Sequence, residues 1–230
     1  MSKPKIIMHN TISLDGSFTN FDVDMELHYR IAAAYNADAR LIGSATIKSG
    51  VEMYGQQADE EQEADFHSPD RAGVPWWIIA DTAGSTSGLL HLCRRFEYCR
   101  DVVVLTSAKT PGEFIDYLKK RRYDYLECGT GRIDFRKAFQ LLEAKYGLQT
   151  VLVDSGPVLN AVLLEQGLVD EISLLVAPVL VGGISDRFLS ALNKNRSNIR
   201  LVLKECKNAD GKNVLLRYSL ADNRQTGGKA

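Results

Sequence analysis

The sequence predicts an α/β fold: a mostly parallel, twisted central sheet flanked by helices, with an antiparallel C-terminal edge. Three observations predict it. Short apolar runs rich in β-formers alternate with segments of helical period, which is the pattern of βαβ units. Nearly every run is followed by a turn offering small residues, hydroxyls or bare backbone N–H groups. The last third changes character, with two β-rich runs flanking Ala209-Asp210-Gly211 in the manner of a hairpin.

Residues 5–9 (KIIMH) form the first strand-like run. Residues 26–37 place Leu27, Ile31, Ala34 and Tyr35 on one helical face. Residues 40–43 form a short strand that ends in Gly43. Residues 75–80 (PWWIIA) and 101–106 (DVVVLT) are buried-strand candidates. Pro111 opens a helix that carries Phe114, Tyr117 and Leu118. Residues 123–127 form the next strand. Asp134 caps a helix bearing Phe135, Ala138, Phe139, Leu142 and Tyr146, and Gly147 ends it. Residues 150–153 form a strand, the Ser155-Gly156-Pro157 turn follows, and a helix runs to Gln166 before Gly167. Residues 171–180 are long and β-rich, and the apolar segment 171–183 is either a central strand or support for a homodimer. The reading is one domain over residues 1–221 with a flexible polar tail at 222–230.

Composition excludes several classes. The 230 residues carry 28 Lys and Arg against 29 Asp and Glu, so no basic excess points to nucleic acid or an anionic membrane. The cluster Lys119-Lys120-Arg121-Arg122 closes a helix and complements its dipole. No run reaches the roughly 18 apolar residues of a membrane span, and the opening MSKPKIIMHN is too polar after Met8 for a signal peptide. Cys93, Cys99, Cys128 and Cys206 lack CxxC spacing, which predicts reduced thiols, a cytoplasmic protein and no metal. The four histidines show no ligand spacing, and His28 reads as a surface or cap residue. Residues 56–75, with Asp59-Glu60-Glu61 and Glu63, read equally as an active-site flap or a solvated loop.

In open parallel sheets ligands gather at the carboxyl ends of strands. The residues placed there are Ile12, Ser13 and Asp15 after the first strand, Gly43 and Thr46 after the second, and Thr82 after PWWIIA. Ser107 and Lys109 follow DVVVLT, Gly129 and Arg132 follow residues 123–127, and Asp154 through Pro157 follow residues 150–153. Small residues let main-chain N–H groups approach a phosphate, and Pro157 starts a helix without wasting a donor. No GxGxxG follows the first strand and no GxxxxGK[ST] occurs, which disfavours the usual dinucleotide and P-loop motifs. No Gly-x-Ser-x-Gly elbow occurs either.

Five stretches in this order carry a resemblance: Ser13-Leu14-Asp15-Gly16, residues 38–46 (DARLIGSAT), residues 151–160 (VLVDSGPVLN), residues 167–172 (GLVDEI) and residues 177–183 (APVLVGG). The chain resembles the reductase half of riboflavin-biosynthesis deaminase–reductases and the stand-alone ribosylaminopyrimidine-phosphate reductases, which share the dihydrofolate-reductase-like fold. The resemblance implies an NADPH-dependent reductase, with NADH open, acting on a phosphorylated pyrimidine and forming a homodimer. It implies that Thr46, Thr82 and the turn Ser155, Gly156, Pro157, Val158 and Leu159 meet the cofactor, with Ile12, Gly43 and Gly129 beside them. Ser107, Lys109 and Arg132 suit the adenosine end, where a cation favours a 2′-phosphate. Asp154 stands where the family carries a substrate-contacting glutamate. Ser13 and Asp15 line the substrate side, and Asp15 is the candidate for stabilising a protonated imine.

Two departures bear on substrate. Ala34 stands where relatives often carry an arginine, and Gly50-Val51-Glu52-Met53-Tyr54-Gly55 replaces their Asp-x-Pro-x-Leu-Thr-x-Arg pattern. Arg30 and Arg71 are the candidate substitutes. The alternatives are a related reductase of another pteridine-like, imine or carbonyl substrate, and a non-catalytic nucleotide-binding module.

Overall fold

A computed structural model describes residues 3–54, 60–69, 71–183, 187–189, 191–192 and 198–221. The expected tail at 222–230, and residues 55–59 and 70 of the acidic insertion, lie outside the described residues. In chain order the elements are β1 (Lys5–Ser13), α1 (Met25–Ala33), β2 (Ala39–Gly43), α2 (Ser44–Tyr54), β3 (Trp76–Ala80), α3 (Leu90–Arg95), β4 (Val102–Thr106) and α4 (Gly112–Lys120). They continue with β5 (Asp124–Glu127), α5 (Phe135–Tyr146), β6 (Thr150–Val153), α6 (Pro157–Glu165), β7 (Glu171–Ala177), β8 (Leu201–Asn208) and β9 (Val214–Leu220). The chain divides into two compact units, Met1–Lys5 with Tyr35–Gly156, and Ile6–Ala34 with Pro157–Ala230.

The first unit holds five parallel strands in the order β5-β4-β3-β2-β6. β4 is buried along its whole length, which explains why DVVVLT reads as a continuous apolar run. Ile42, Ile79, Leu90, Val104, Phe114 and Leu118 pack into one core around it. The Asp134 carboxylate accepts from Arg136 N and Lys137 N, and Gly147 takes φ +69° at the other end of α5. Such a side-chain cap contributes about 1 kcal/mol.

The second unit holds β1-β7-β9-β8, with β1 and β7 parallel and the last two pairings antiparallel. The antiparallel C-terminal edge is therefore as expected, and so is its turn. Asp210 accepts from Lys212 N and Asn213 N, and Asn208 Oδ1 accepts from Asp210 N. β7 lies between β1 and β9, so residues 171–177 form an internal strand.

The sequence reading needs four corrections. β1 does not stop at His9; it pairs with β7 through Ser13↔Ala177, so Ile12 and Ser13 are strand residues. Its polar side chains stay inside because each finds a partner: His9 Nδ1 lies 2.9 Å from Ser173 Oγ, and Thr11 Oγ1 lies 2.9 Å from His28 Nδ1. His28 is accordingly buried, stacked on His9 with ring centroids 4.6 Å apart, and is not a surface residue. A helix, α2, begins directly at Ser44, so Thr46 lies in its first turn and not in a loop. α3 was not expected at all.

A buried arginine clamps the amino ends of β4 and β5. Arg94, 2% exposed, donates from Nε to Asp101 Oδ1 at 2.7 Å. Its Nη1 donates to Asp65 O and Arg121 O, and its guanidinium lies 3.9 Å from the Tyr123 ring centroid. Around it, Arg95 pairs with the Asp65 carboxylate, Arg121 with Glu61, and Arg122 Nη1 lies 3.1 Å from His67 Nδ1. The described part of the acidic insertion is thus a brace at the amino ends of these strands. An active-site flap would sit at the opposite, carboxyl ends. Removing one member of a buried pair strands the other charge, which typically costs 3–5 kcal/mol, so Asp101→Ala should lower the stability read by urea unfolding by about that amount. An unchanged midpoint would show that Arg94 is held by its carbonyl partners alone.

Candidate functional site

The carboxyl-end turns of the first unit fall into two kinds. In the first kind a side chain already occupies the main-chain donors. After β3, the buried Asp81 carboxylate accepts from Ala83 N, Gly84 N and Thr86 N at 3.1, 2.9 and 2.8 Å, and from Thr86 Oγ1. That turn holds its own anion and offers little to a phosphate, although Thr82 beside it stays half-buried. After β4, Ser107 N donates to Thr110 Oγ1 at 3.0 Å and Ala108 N to Gly129 O at 2.8 Å.

The turn after β6 is of the second kind. Asp154 N still closes onto Leu41 O, but Gly156 N donates no hydrogen bond among the described residues. A Cβ built on Gly156 meets no atom within 4 Å, so no neighbour excludes a side chain there, and the residue is half-buried. Ser155 Oγ accepts from Gly43 N at 3.1 Å and lies 3.5 Å from Thr46 Oγ1. The structure therefore brings Gly43, Thr46, Ser155 and Gly156 together, four residues expected at a cofactor.

A second group forms at the carboxyl ends of β4 and β5. A Cβ on Gly129 would drive into Arg132 O, so only glycine allows the chain to fold back on itself there. The Lys109 side chain runs within 4 Å of where a Cβ on Gly131 would stand. Lys109 and Arg132 are exposed, and neither has a hydrogen-bond or ion-pair partner among the described residues. Ser107, at the end of β4 and 3% exposed, keeps its Oγ without a partner among the described residues. A buried hydroxyl left so costs free energy unless a ligand completes it.

In the second unit, Ser13 Oγ donates to Asp15 Oδ1 at 2.6 Å and accepts from Ser17 N at 2.8 Å. Val181 N and Gly182 N also donate to the Asp15 carboxylate. These bonds, the Ser13 hydroxyl foremost, hold the carboxyl down at about 2. Asp15 is ionised at neutral pH and is no proton donor there. Pro157 and Leu159 are half-buried at the start of α6 and Val158 is exposed. Asn160, on the same helix, donates from Nδ2 to Asn10 Oδ1 at 3.0 Å; this buried amide pair carries no signal in sequence beyond helical spacing.

The two arginines named as substitutes for the missing ones are placed elsewhere. Arg71 Nη1 donates to Arg94 O, Phe96 O and Cys99 O, at the C-terminal end of α3. Arg30 pairs with Glu26 along α1, exposed. Among the described residues no group of three or more His, Cys, Asp or Glu is placed to hold a metal, and no helix is long and apolar enough to cross a membrane.

Comparison with known proteins decides the family. Residues 4–215 match the RibD C-terminal domain. The chain belongs to that family. A curated relative, 2,5-diamino-6-ribosylamino-4(3H)-pyrimidinone 5′-phosphate reductase of Methanothermobacter thermautotrophicus, is 30% identical over 121 residues. The match covers 51% of this chain and 55% of the relative, so about half of each is compared. A pyrimidine reductase-like protein of Corynebacterium diphtheriae superposes with a TM-score of 0.72 at 18% identity, over 96% of this chain and 93% of that one. Acinetobacter baumannii RibD gives 0.68 at 19%, over 96% and 59%. At these identities the superpositions show a shared fold, the one the sequence resemblance implies.

Two outcomes follow from this geometry. Gly129→Ala should destabilise the protein by about 1–3 kcal/mol, as overpacking does, while Gly156→Ala should leave the thermal midpoint unchanged; equal effects would contradict the backbone geometry. Carboxyl titration by NMR should give Asp15 a midpoint near 2 that rises in Ser13→Ala. A depressed carboxyl contributes stability that is fully present above its ordinary value of 3.8 and is lost as pH falls through about 2.

Proposed function

We propose that the chain is an NADPH-dependent reductase that converts a ribosylaminopyrimidine 5′-phosphate to its ribitylamino product. The observation that carries this reading is the open Ser155-Gly156 turn beside the Thr46 hydroxyl, in a member of the RibD C-terminal domain family. The residues fit a nicotinamide dinucleotide. Gly156 N, which has no acceptor among the described residues, is available to a pyrophosphate oxygen, and Lys109 and Arg132 supply unpaired charge for a further phosphate. Bound cofactor supplies a hydride to C1′ of the ring-opened imine, whose nitrogen takes a proton from solvent.

The chain's own residues position and select. The Ser155 and Thr46 hydroxyls orient the cofactor's pyrophosphate end, and holding reactants in register accounts for much of such a rate enhancement. Lys109 and Arg132 read the 2′-phosphate that separates NADPH from NADH. Residues 1–221 act as one functional domain in this reading, in the cytoplasm. The buried thiols of Cys93 and Cys128, pushed up by burial to about 12 and about 11, take no part.

A second reading keeps the cofactor and changes the substrate. It is favoured by the engagement of Arg71 at the C-terminal end of α3, which removes it from any substrate phosphate at the carboxyl ends. A homodimer belongs to either reading. Its seat is not the internal β7 but the outer strand β8, where Leu201, Val202 and Leu203 are exposed together.

Purified protein should oxidise NADPH, followed by its absorbance, only when the ribosylaminopyrimidine phosphate is added. Lys109→Ala with Arg132→Ala should raise KM for NADPH by about tenfold or more and leave NADH nearly unaffected, as loss of charge-assisted phosphate bonds predicts. Cofactor binding without substrate-dependent oxidation would select the second reading. Sedimentation as a monomer at micromolar concentration would remove the dimer.

A further inference from the structure

The Asp15 carboxylate joins two segments of the second unit. Val181 N donates to its Oδ1 at 3.2 Å and Gly182 N to its Oδ2 at 2.8 Å. Main-chain bonds add to the seam: Leu14 N donates to Val179 O at 2.9 Å and Phe188 N to Gly16 O at 3.0 Å. Arg187 Nη1 reaches Asp15 O, and the Phe18 and Phe188 rings lie 5.6 Å apart. The segment leaving β7 is thereby held to the turn leaving β1.

Glycine is required on both sides of the seam by conformation and not by crowding. Gly16, Gly182 and Gly183 have φ of +82°, +66° and +62°, and a Cβ on any of them would meet nothing within 4 Å. The paired glycines at the end of APVLVGG thus let the chain present two adjacent N–H groups to one carboxylate, a nest of the kind that binds anions. Here the anion is internal. Because the ionised carboxylate accepts only, three donors on its two oxygens match its chemistry.

The seam carries two large apolar side chains into solvent. Leu14 is 66% exposed and Leu180 71% exposed. A single exposed leucine is ordinary. These two stand on segments bonded to each other, at the carboxyl ends of the parallel pair β1 and β7, where such sheets take their ligands. Neither side chain is buried among the described residues.

We propose that Asp15 is a positioning residue: its carboxylate fixes residues 179–182 against the β1 turn so that Leu14 and Leu180 form one apolar edge for the planar ring of the substrate. This rests on the reductase reading above. Asp15 then acts on the reaction through the segment it holds and neither touches the reacting carbon nor exchanges a proton with it. Three of its roughly four acceptor sites are already taken by Ser13, Val181 and Gly182.

The test uses the full chain with NADPH and the ribosylaminopyrimidine phosphate. In Asp15→Asn the amide replaces one acceptor by a donor facing Val181 N or Gly182 N. Hydrogen-exchange protection of those two amides should fall about tenfold or more, KM for the substrate should rise by a similar factor, and kcat and the shape of its pH profile should change little. Leu180→Ser, an exposed change that does not threaten folding, should raise the same KM while leaving the two amides protected. A large fall in kcat at unchanged KM, or loss of one limb of the pH profile in Asp15→Asn, would overturn the proposal and make Asp15 a direct participant. So would an unchanged KM in Leu180→Ser. If wild-type protein does not oxidise NADPH with this substrate, the reductase reading fails by itself, and the exchange measurement still decides whether Asp15 holds the segment.

Discussion

Every strand-end turn in this chain must satisfy main-chain N–H groups that neither strand nor helix pairs, and this constraint sorts the structure. Most of the turns solve it from within. Asp81 takes three amides after β3, Thr110 takes one after β4, Asp134 takes two at the head of α5, and Asp15 takes two from the segment beyond β7. A turn that carries its own carboxylate is complete and repels a second anion. The Ser155-Gly156 turn is built otherwise: its hydroxyl faces Gly43 and Thr46, and the Gly156 amide has no acceptor among the described residues. That turn is therefore left without an internal anion of its own.

The same logic explains why glycine means different things at different positions. At Gly129 the side chain is excluded by Arg132 O, so the residue serves folding. At Gly182 and Gly183 the left-handed backbone excludes it, so the residues serve a local hydrogen-bond geometry. At Gly156 nothing excludes it, neither contact nor dihedral. A glycine that folding does not require is a sharper sign of ligand approach than one that it does.

Much of the architecture was legible because its causes are local. The Asp134 cap, the Gly147 stop, the Ser155-Gly156-Pro157 break and the Asp210 turn each depend on residues within a few positions of one another. What the sequence hid depends on partners far apart. His28 reads as a polar residue on a helix face, yet it is buried because Thr11 and the His9 ring, on a strand, meet it. β1 reads as ending at His9 because Asn10, Thr11 and Ser13 are polar, yet Asn160, His28 and Asp15 satisfy them inside. Arg94 gives no local sign that Asp101 and the carbonyls of Asp65 and Arg121 enclose it. The candidate cofactor residues were legible as strand-end residues, but which turns were already closed was not.

Charge shows the same division within the first unit. The arginines near the amino ends of β4 and β5 are matched: Arg94 by Asp101, Arg95 by Asp65, Arg121 by Glu61. At the carboxyl ends, Lys109 and Arg132 have no such partner among the described residues. Exposed pairs add little to stability, so pairing alone does not explain why carboxylates accompany one set and not the other. The buried members of the first set need a counter-ion because a lone charge in the interior is costly. The second set, out in water, needs none to fold. An unmatched cation keeps its full attraction for a phosphate, whereas a carboxylate placed there would cancel it. Matched and unmatched charge thus fall on opposite ends of the same strands, and the described part of the acidic insertion, docked at the amino ends, belongs to the first.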